Sequence, residues 1–410
     1  MGRIGIYGGT FNPPHTGHML ALREFAEKLQ LDRVLLIPDR VPPHKEMPEG
    51  SPDGQTRLRL CQLAAEGLPF VEVSDLELHR EGRSYTVDTV RELAALYPDD
   101  ERIFLMGTDM FLSFDRWYKP EEIVRYVSLG MANRQTPSET EKSEILAQKE
   151  KLEQEMGATV YLTENDLIEI SSSAVRLLLR YGAGAEVLPE PVYREILRLN
   201  LYRAADDLRC LSEERLREEI RSLHKPRRLP HVEGCCELSV HLAEKWGADP
   251  NAAARAALLH DCTKILSASE QLILCRRYGI LLDDFDRQNE SLLHAKTGAA
   301  VAAQIFGETP EVCEAIRWHT TGKAGMTKLQ KILYLADMIE KTRSYPGVEE
   351  LRKLAESDLE EAVLQALQRT VAFVREGGKP LHPDSLRAME YELERKQQSN
   401  ALRDQNEVDV

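Results

Sequence analysis

Two hydrophobic periodicities divide the chain. Up to about residue 182, short apolar runs alternate with longer segments whose apolar positions recur at helical spacing. The runs at 4–7, 34–38, 70–74, 103–107, 127–132 and 159–162 predict strands. Between them, sets such as Leu58, Leu60, Leu63 and Ala64, or Val87, Val90, Leu93 and Ala94, predict helices with one apolar face. Such alternation implies an α/β, doubly wound parallel sheet with right-handed crossovers and helices on both faces. In that architecture ligands bind at the carboxyl ends of the strands. From Ser212 onward only helical periodicity remains, broken by caps and prolines, which predicts a separate all-helical domain. Pro189 and Pro191 stand at a helical run, 192–202, that closes the first domain. The expected organisation is a first domain over 1–203, a linker at 204–211, a helical domain over 212–395 and a polar, disordered tail at 396–410.

The candidate chemistry of the first domain falls at strand ends. Gly8, Gly9, Thr10 and Phe11 follow the first strand, and His15 and His18 stand where the next helix begins. Glycines let the backbone approach a phosphate, and a helix start aims free N–H groups at the same place. Both imidazoles can donate to phosphate oxygens. The plain alternative is a tight turn with two solvated histidines; the combination of strand, glycine pair and paired histidines favours phosphate binding. After the second strand, Pro42 and Pro43 stiffen a loop that carries His44 and Lys45, a pattern that by itself also suits an ordinary crossover loop. Ser84-Tyr85-Thr86 reads as a helix start with Thr86 as its cap. Gly107-Thr108-Asp109 follows the fourth strand, and Trp117 and Tyr118 come soon after. Trp117 suits a ligand ring and the core equally. Ser171-Ser172-Ser173 opens another helix, with Arg176 a turn further in, able to fork onto phosphate oxygens.

Composition narrows the function classes. A chain of 410 residues, 42% hydrophobic and 30% charged, is globular and too long for one core. The net charge of −15 argues against a non-specific nucleic-acid surface, yet leaves room for a small anion in a local pocket. There is no apolar stretch of membrane-spanning length and no basic-then-apolar leader, and the seven cysteines lack framework spacing. The expectation is a cytoplasmic protein with no membrane segment; the oligomeric state stays open.

His15-Thr16-Gly17-His18 resembles the His-x-Gly-His signature of the nucleotidyltransferase superfamily. With the Pro-Pro-His-Lys loop, Asp109, Trp117-Tyr118 and Ser171–Arg176 added, residues 1–203 resemble the bacterial nicotinate-nucleotide adenylyltransferases, which have a Rossmann-like fold. Pantetheine-phosphate adenylyltransferase shares the Ser-Ser-Ser-x-x-Arg ending but lacks the proline loop and the Trp-Tyr pair. The resemblance implies that Gly8, Gly9, Thr10, Phe11, His15, His18, Ser172 and Arg176 hold ATP, which arrives with Mg2+. It places nicotinate mononucleotide among His44, Lys45, Tyr85, Thr86, Asp109, Trp117 and Tyr118, with Trp117 on the pyridine ring. The acceptor phosphate has a second pKa of about 6 and needs no general base. Catalysis then reduces to positioning and charge neutralisation, with His15, His18 and Arg176 as the catalytic candidates and in-line attack at the α-phosphate.

The second set of chemical residues is His231, His260, Asp261, His294, His319 and Asp337, each within or beside an apolar helical segment. A carboxylate inside Tyr334-Leu335-Ala336-Asp337-Met338 costs several kcal/mol to bury without a partner, on the order of what a bound cation restores. Four imidazoles and two carboxylates suffice for two metal ions. The alternative is a set of separately satisfied core histidines, with Asp261 as a helix cap. The order resembles the HD-domain phosphohydrolases and, with His294 and His319, a bacterial group of symmetrical diadenosine tetraphosphate hydrolases, over residues 212–395. That resemblance implies two transition-metal ions, iron by family and Mn, Co or Zn also suited by ligand chemistry. It makes Asp261 catalytic and splits diadenosine tetraphosphate into two ADP. Lys264 suits a phosphate contact or a plain surface position. Cys262 departs from the Tyr or Ala usual in the family. The chain reads as a bifunctional enzyme; the alternatives are a nucleotide-sensing helical domain or one that hydrolyses another nucleotide.

Overall fold

The computed structural model describes residues 2–42, 46–133, 138–164 and 170–408. The chain splits into two units, Met1–Asp206 and Asp207–Val410.

The first unit is built on a parallel sheet of β1 (Arg3–Gly9), β2 (Arg33–Pro38), β3 (Val71–Val73), β4 (Glu101–Gly107), β5 (Ser128–Asn133) and β6 (Val160–Glu164). Its order is β3-β2-β1-β4-β5-β6, and every neighbouring pair runs parallel. Each strand expected from the apolar runs is present, with ends moved by one or two residues. The runs are continuous because both faces are covered: Val34, Leu35, Leu36 and Ile37 are all buried. One face packs Ile4, Ile6, Leu35, Ile37, Phe104 and Met106 against Val87, Val90 and Leu93 of the helix Thr86–Leu96. The chain winds outward from β1 through β2 to β3, then returns to lay β4 on the other side of β1. That reversal opens a crevice beyond the carboxyl ends of β1 and β4.

The second unit is helical among its described residues. The helix Pro250–Leu259 is buried nearly all round, and its alanines 253, 254, 256 and 257 let its neighbours Leu229–Trp246 and Lys328–Ile339 pack closely. Lys331 is buried with its Nζ 2.9 Å from Glu392 Oε1 and 2.5 Å from Glu360 Oε2, which pins the helix Pro383–Val408 to the body. No helix among the described residues is long and apolar enough to cross a membrane.

The tail corrects one expectation. Residues 396–408 continue the helix Pro383–Val408 and are not irregular. The stretch has no proline or glycine to stop a helix already nucleated on the protein body, so each added residue costs little. Arg395 and Lys396 also pair with Glu360 and Glu361 of the helix Leu359–Glu376, at 2.7 Å each.

Candidate active sites

A cleft of about 510 Å³ lies at the sheet reversal, lined by the ends of β1 and β4. Gly8, Gly9, Thr10, Phe11, His18, Ser172 and Arg176 all face it. At Gly9 the chain passes close to the Phe11 ring: a Cβ there would stand 3.1 Å from it, and the ring would have to give by a few tenths of an ångström. The helix Thr16–Lys28 begins at His15, whose backbone N–H donates to His18 Nδ1 at 3.2 Å. In neutral His18 the proton therefore sits on Nε2, a donor. His15 itself is buried and does not line the cleft. Burial, with His18 beside it, holds the His15 imidazole well below its ordinary pKa. From the other wall, Ser171 caps the helix Ser172–Arg180 through the Ala174 N–H. Arg176 reaches the Asn12 carbonyl at 2.8 Å and Ser173 Oγ at 3.0 Å. Burial lowers the Arg176 pKa, although a guanidinium keeps its charge.

The second expected ligand set is less united. His44 and Lys45 lie outside the described residues. Tyr85 and Tyr118 meet with ring centroids 4.6 Å apart. Trp117 packs edge-on against Phe104, at 5.8 Å, and tilts onto Phe114, at 5.1 Å. Asp109 is exposed on the short helix Thr108–Leu112, and the cleft lining takes in its neighbours Gly107 and Met110 but not Asp109 itself. Thr86 is not the cap of its helix: Tyr85 holds the extended backbone of that position, and Thr86 is the first helical residue. Arg57, which no pattern singled out, is 1% exposed and ties the first two strand-end loops together. Its guanidinium donates to the carbonyls of Thr10 at 2.7 Å and Asp39 at 2.6 Å, while Thr10 Oγ1 donates to Asp39 Oδ2 at 2.8 Å.

In the helical unit the six expected ligands converge. His260, His294 and His319 each donate from Nδ1 to a carbonyl three residues earlier, of Ala257, Ser291 and Ile316, at 2.6, 2.8 and 2.7 Å. His231 Nδ1 donates to Glu340 Oε1 at 2.9 Å. With every Nδ1 turned outward, the four Nε2 atoms face inward. His231 and His260 stand 3.3 Å apart there, as do His294 and His319. Burial drives the His260 and His294 pKa values down, to about 4 and about 3, so those rings are neutral and point lone pairs at their neighbours. Asp261 Oδ1 lies 3.4 Å from His294 Nε2 and 3.7 Å from His319 Nε2. Asp337 Oδ1 lies 3.1 Å from His231 Nε2. Burial pushes both carboxyls up, but hydrogen bonds from their surroundings, with His319 and Lys264 beside Asp261 and His231 beside Asp337, outweigh it and hold both well below the usual range. Neutral imidazoles and ionised carboxylates are the ligating forms, and facing lone pairs at this distance repel unless a cation lies between them. The donor set fits metal ions. His231, His260 and Asp337 make one triad and His260, Asp261 and His319 another, sharing His260. Lys264 Nζ stands 3.1 Å from His294 Nε2.

Comparison with known proteins agrees with this two-part architecture. Residues 6–178 match the cytidylyltransferase-like family, and residues 228–342 match the HD domain. A "Probable nicotinate-nucleotide adenylyltransferase" of Carboxydothermus hydrogenoformans is 38% identical over 202 residues, 49% of this chain and 98% of that protein. The chain belongs to the nicotinate-nucleotide adenylyltransferase family. Its Geobacillus thermodenitrificans relative, described in the same words, is 44% identical over 128 residues, 31% of this chain and 59% of that protein. A crystal structure from Clostridium acetobutylicum, described as a "predicted HD superfamily hydrolase involved in NAD metabolism", is 35% identical; the match covers 45% of this chain and 98% of that one, with a TM-score of 0.44. This adenylyltransferase-family chain thus carries an HD domain after its nucleotidyltransferase domain.

Sequence reasoning missed Glu340, which is fully buried and orients His231. Its signal was a second carboxylate three residues after Asp337, at the C-cap of the apolar helix Lys328–Ile339. Arg57 had a similar signal, a cation on the buried face of the helix Gly54–Ala65.

Proposed function

We propose that the first domain transfers AMP from ATP to nicotinate mononucleotide, releasing pyrophosphate. We further propose that the HD domain hydrolyses diadenosine tetraphosphate symmetrically to two ADP. The observation that carries the first part is the cleft at the strand reversal, where the His18 Nε2 donor and the Arg176 guanidinium face the glycine loop. There the β1 glycines admit the triphosphate of Mg2+-bearing ATP close to the backbone. His18 and Arg176 neutralise charge that builds on the α-phosphate and the departing pyrophosphate, with His15 buttressing His18 through ring contact at 3.6 Å. The acceptor phosphate attacks in line, without a covalent enzyme intermediate. Tyr85, Thr86, Asp109, Trp117 and Tyr118, with His44 and Lys45, are proposed to receive nicotinate mononucleotide.

The second part is supported by the inward-turned imidazoles. His231, His260, Asp261, His294, His319 and Asp337 would hold two transition-metal ions, iron in our assignment. Bound there, such ions supply Lewis acidity and lower the pKa of water. The protein's own share is to hold four Nε2 atoms by their Nδ1 hydrogen bonds, and to bring Lys264 to a phosphate oxygen. The test is to incubate the full chain with ATP, nicotinate mononucleotide and Mg2+, and separately with diadenosine tetraphosphate and Mn2+ or Fe2+, separating products by chromatography. Deamido-NAD in the first mixture and ADP alone in the second are expected. AMP with ATP in the second mixture, tight binding without ADP, or faster turnover of a nucleoside monophosphate would each overturn the second assignment.

A further inference from the structure

Two cations that the scheme above leaves idle sit on the ligand carboxylates. Arg228 holds Asp261 Oδ2 through Nε at 2.9 Å and through a second nitrogen. Arg343 holds Asp337 Oδ1 through Nη2 at 2.6 Å. Asp337 Oδ1 is the same oxygen that faces His231 and His260, and Asp261 Oδ2 is the one that faces His260 at 3.5 Å. Arg343 therefore occupies the Asp337 oxygen that an ion in its triad would take, and Arg228 occupies the Asp261 oxygen on the His260 side, while Asp261 Oδ1 faces His294 and His319. A divalent ion binds a carboxylate oxygen at about 2.0–2.2 Å and repels a guanidinium on that atom. The two arginines serve different triads, one apiece. Both also reach solvent: their side chains are 31% and 35% exposed, against 1% and 18% for the carboxylates they hold. Arg343 also donates from Nε to the Asp337 carbonyl at 2.7 Å, and because the guanidinium is a rigid plane it would leave both partners together.

We infer that Arg228 and Arg343 exchange partners. In the metal-free protein they neutralise Asp261 and Asp337. Once ions fill the triads, they release those carboxylates and fork onto phosphates on either side of the bond that breaks. This rests on the metal-centre reading above and deepens its substrate class: a phosphoanhydride chain that extends past the ions in both directions, which a monoester cannot do. Guanidinium suits that second role because its fork matches phosphate oxygens in pairs.

The test uses the full chain as wild type, R228Q, R343Q and R228K, each with and without Mn2+. Thermal unfolding of the metal-free R→Q variants should fall by about 6–12 °C, because a buried carboxylate loses its counter-ion, while the Mn2+-loaded variants should unfold as the wild type does. The KM for diadenosine tetraphosphate should rise about tenfold or more, with kcat within a few fold. R228K should keep the metal-free stability and still raise KM, since it retains charge and loses the fork. Equal loss of stability with and without Mn2+, or an unchanged KM in both R→Q variants, would overturn the exchange while leaving the metal centre standing. Absence of Mn2+ uptake by the wild type, measured by calorimetry, would instead remove the metal-centre reading and the exchange with it.

Discussion

Glu340 Oε1 accepts the Nδ1 proton of His231 at 2.9 Å, across 109 positions of sequence. The Thr342 N–H, at 2.6 Å from Glu340 Oε2, holds the carboxylate in place. A ligating imidazole held this way presents Nε2 at a fixed angle, and such outer partners are worth about 10–100-fold in metal affinity. Glu340→Ala should weaken Mn2+ binding by that factor in calorimetric titration, and Glu340→Gln, which keeps an acceptor, by less. Gly234→Ala should partly reproduce the loss, since its Cβ would stand 2.6 Å from Glu340 Oε2 and push that carboxylate aside. Unchanged affinity in Glu340→Ala would show that His231 is oriented by packing alone.

His18→Ala removes the cleft's imidazole donor without touching the helical unit. Deamido-NAD formation should fall by about 10²-fold or more, with diadenosine tetraphosphate hydrolysis unchanged. Loss of both activities in a folded variant would contradict two separate sites.

Asp261→Ala should do the reverse. It deletes a carboxylate that faces His260, His294 and His319. Bound metal, measured by elemental analysis, and hydrolysis should both be lost while adenylyl transfer persists.

Arg57→Met tests the brace between the strand-end loops. The guanidinium is buried and donates to Thr10, Asp39 and Arg40. Its removal should cost about 3–5 kcal/mol in denaturant unfolding of the first unit, because Asp39 loses its buried counter-ion. In folded protein the KM for ATP should rise, as the Thr10 loop is no longer tied down. A stable variant with unchanged KM would make the brace dispensable.

The acid limb of stability should carry a signature of His15. Burial keeps its folded pKa well below the ordinary 6.5, so the unfolded chain binds the proton first. Its contribution is complete above about pH 6.5 and is lost as pH falls below that value, at up to about 1.4 kcal/mol per pH unit. Unfolding followed from pH 7.5 to 5 should show the first unit weakening, and His15→Asn should flatten that slope. An unchanged slope would mean that His15 is protonated in the fold.

The central strands were legible because burial on both faces leaves continuous apolar runs such as Val34 to Ile37, whereas the edge strand β3 is short, with Glu72 exposed between two half-buried valines. The convergence of His231, His260, Asp261, His294, His319 and Asp337 was legible for a related reason: polar groups in apolar helical segments must find partners, and histidine with aspartate in that setting could hold a metal. The Thr86 cap and the tail were misjudged because both depend on neighbours. Tyr85 takes the capping backbone, and a helix already docked carries residues 396–408 onward. Cys262 is buried, and nothing in the structure explains the choice of cysteine there.

Local sequence by itself determined the strand-and-helix alternation, the placing of glycines and histidines at strand ends, and the stock of histidines and aspartates that could hold a metal. Periodicity suffices for these because each is a property of a few neighbouring residues. Only the tertiary structure decided which nitrogen of each imidazole faces inward, that His15 stands behind His18, that Arg57 joins two loops, and that Glu340, Arg228 and Arg343 surround the ligand cluster. Those outcomes depend on side-chain direction and on pairs tens of residues apart, such as Arg228 with Asp261. Packing sets both, and no local pattern encodes them.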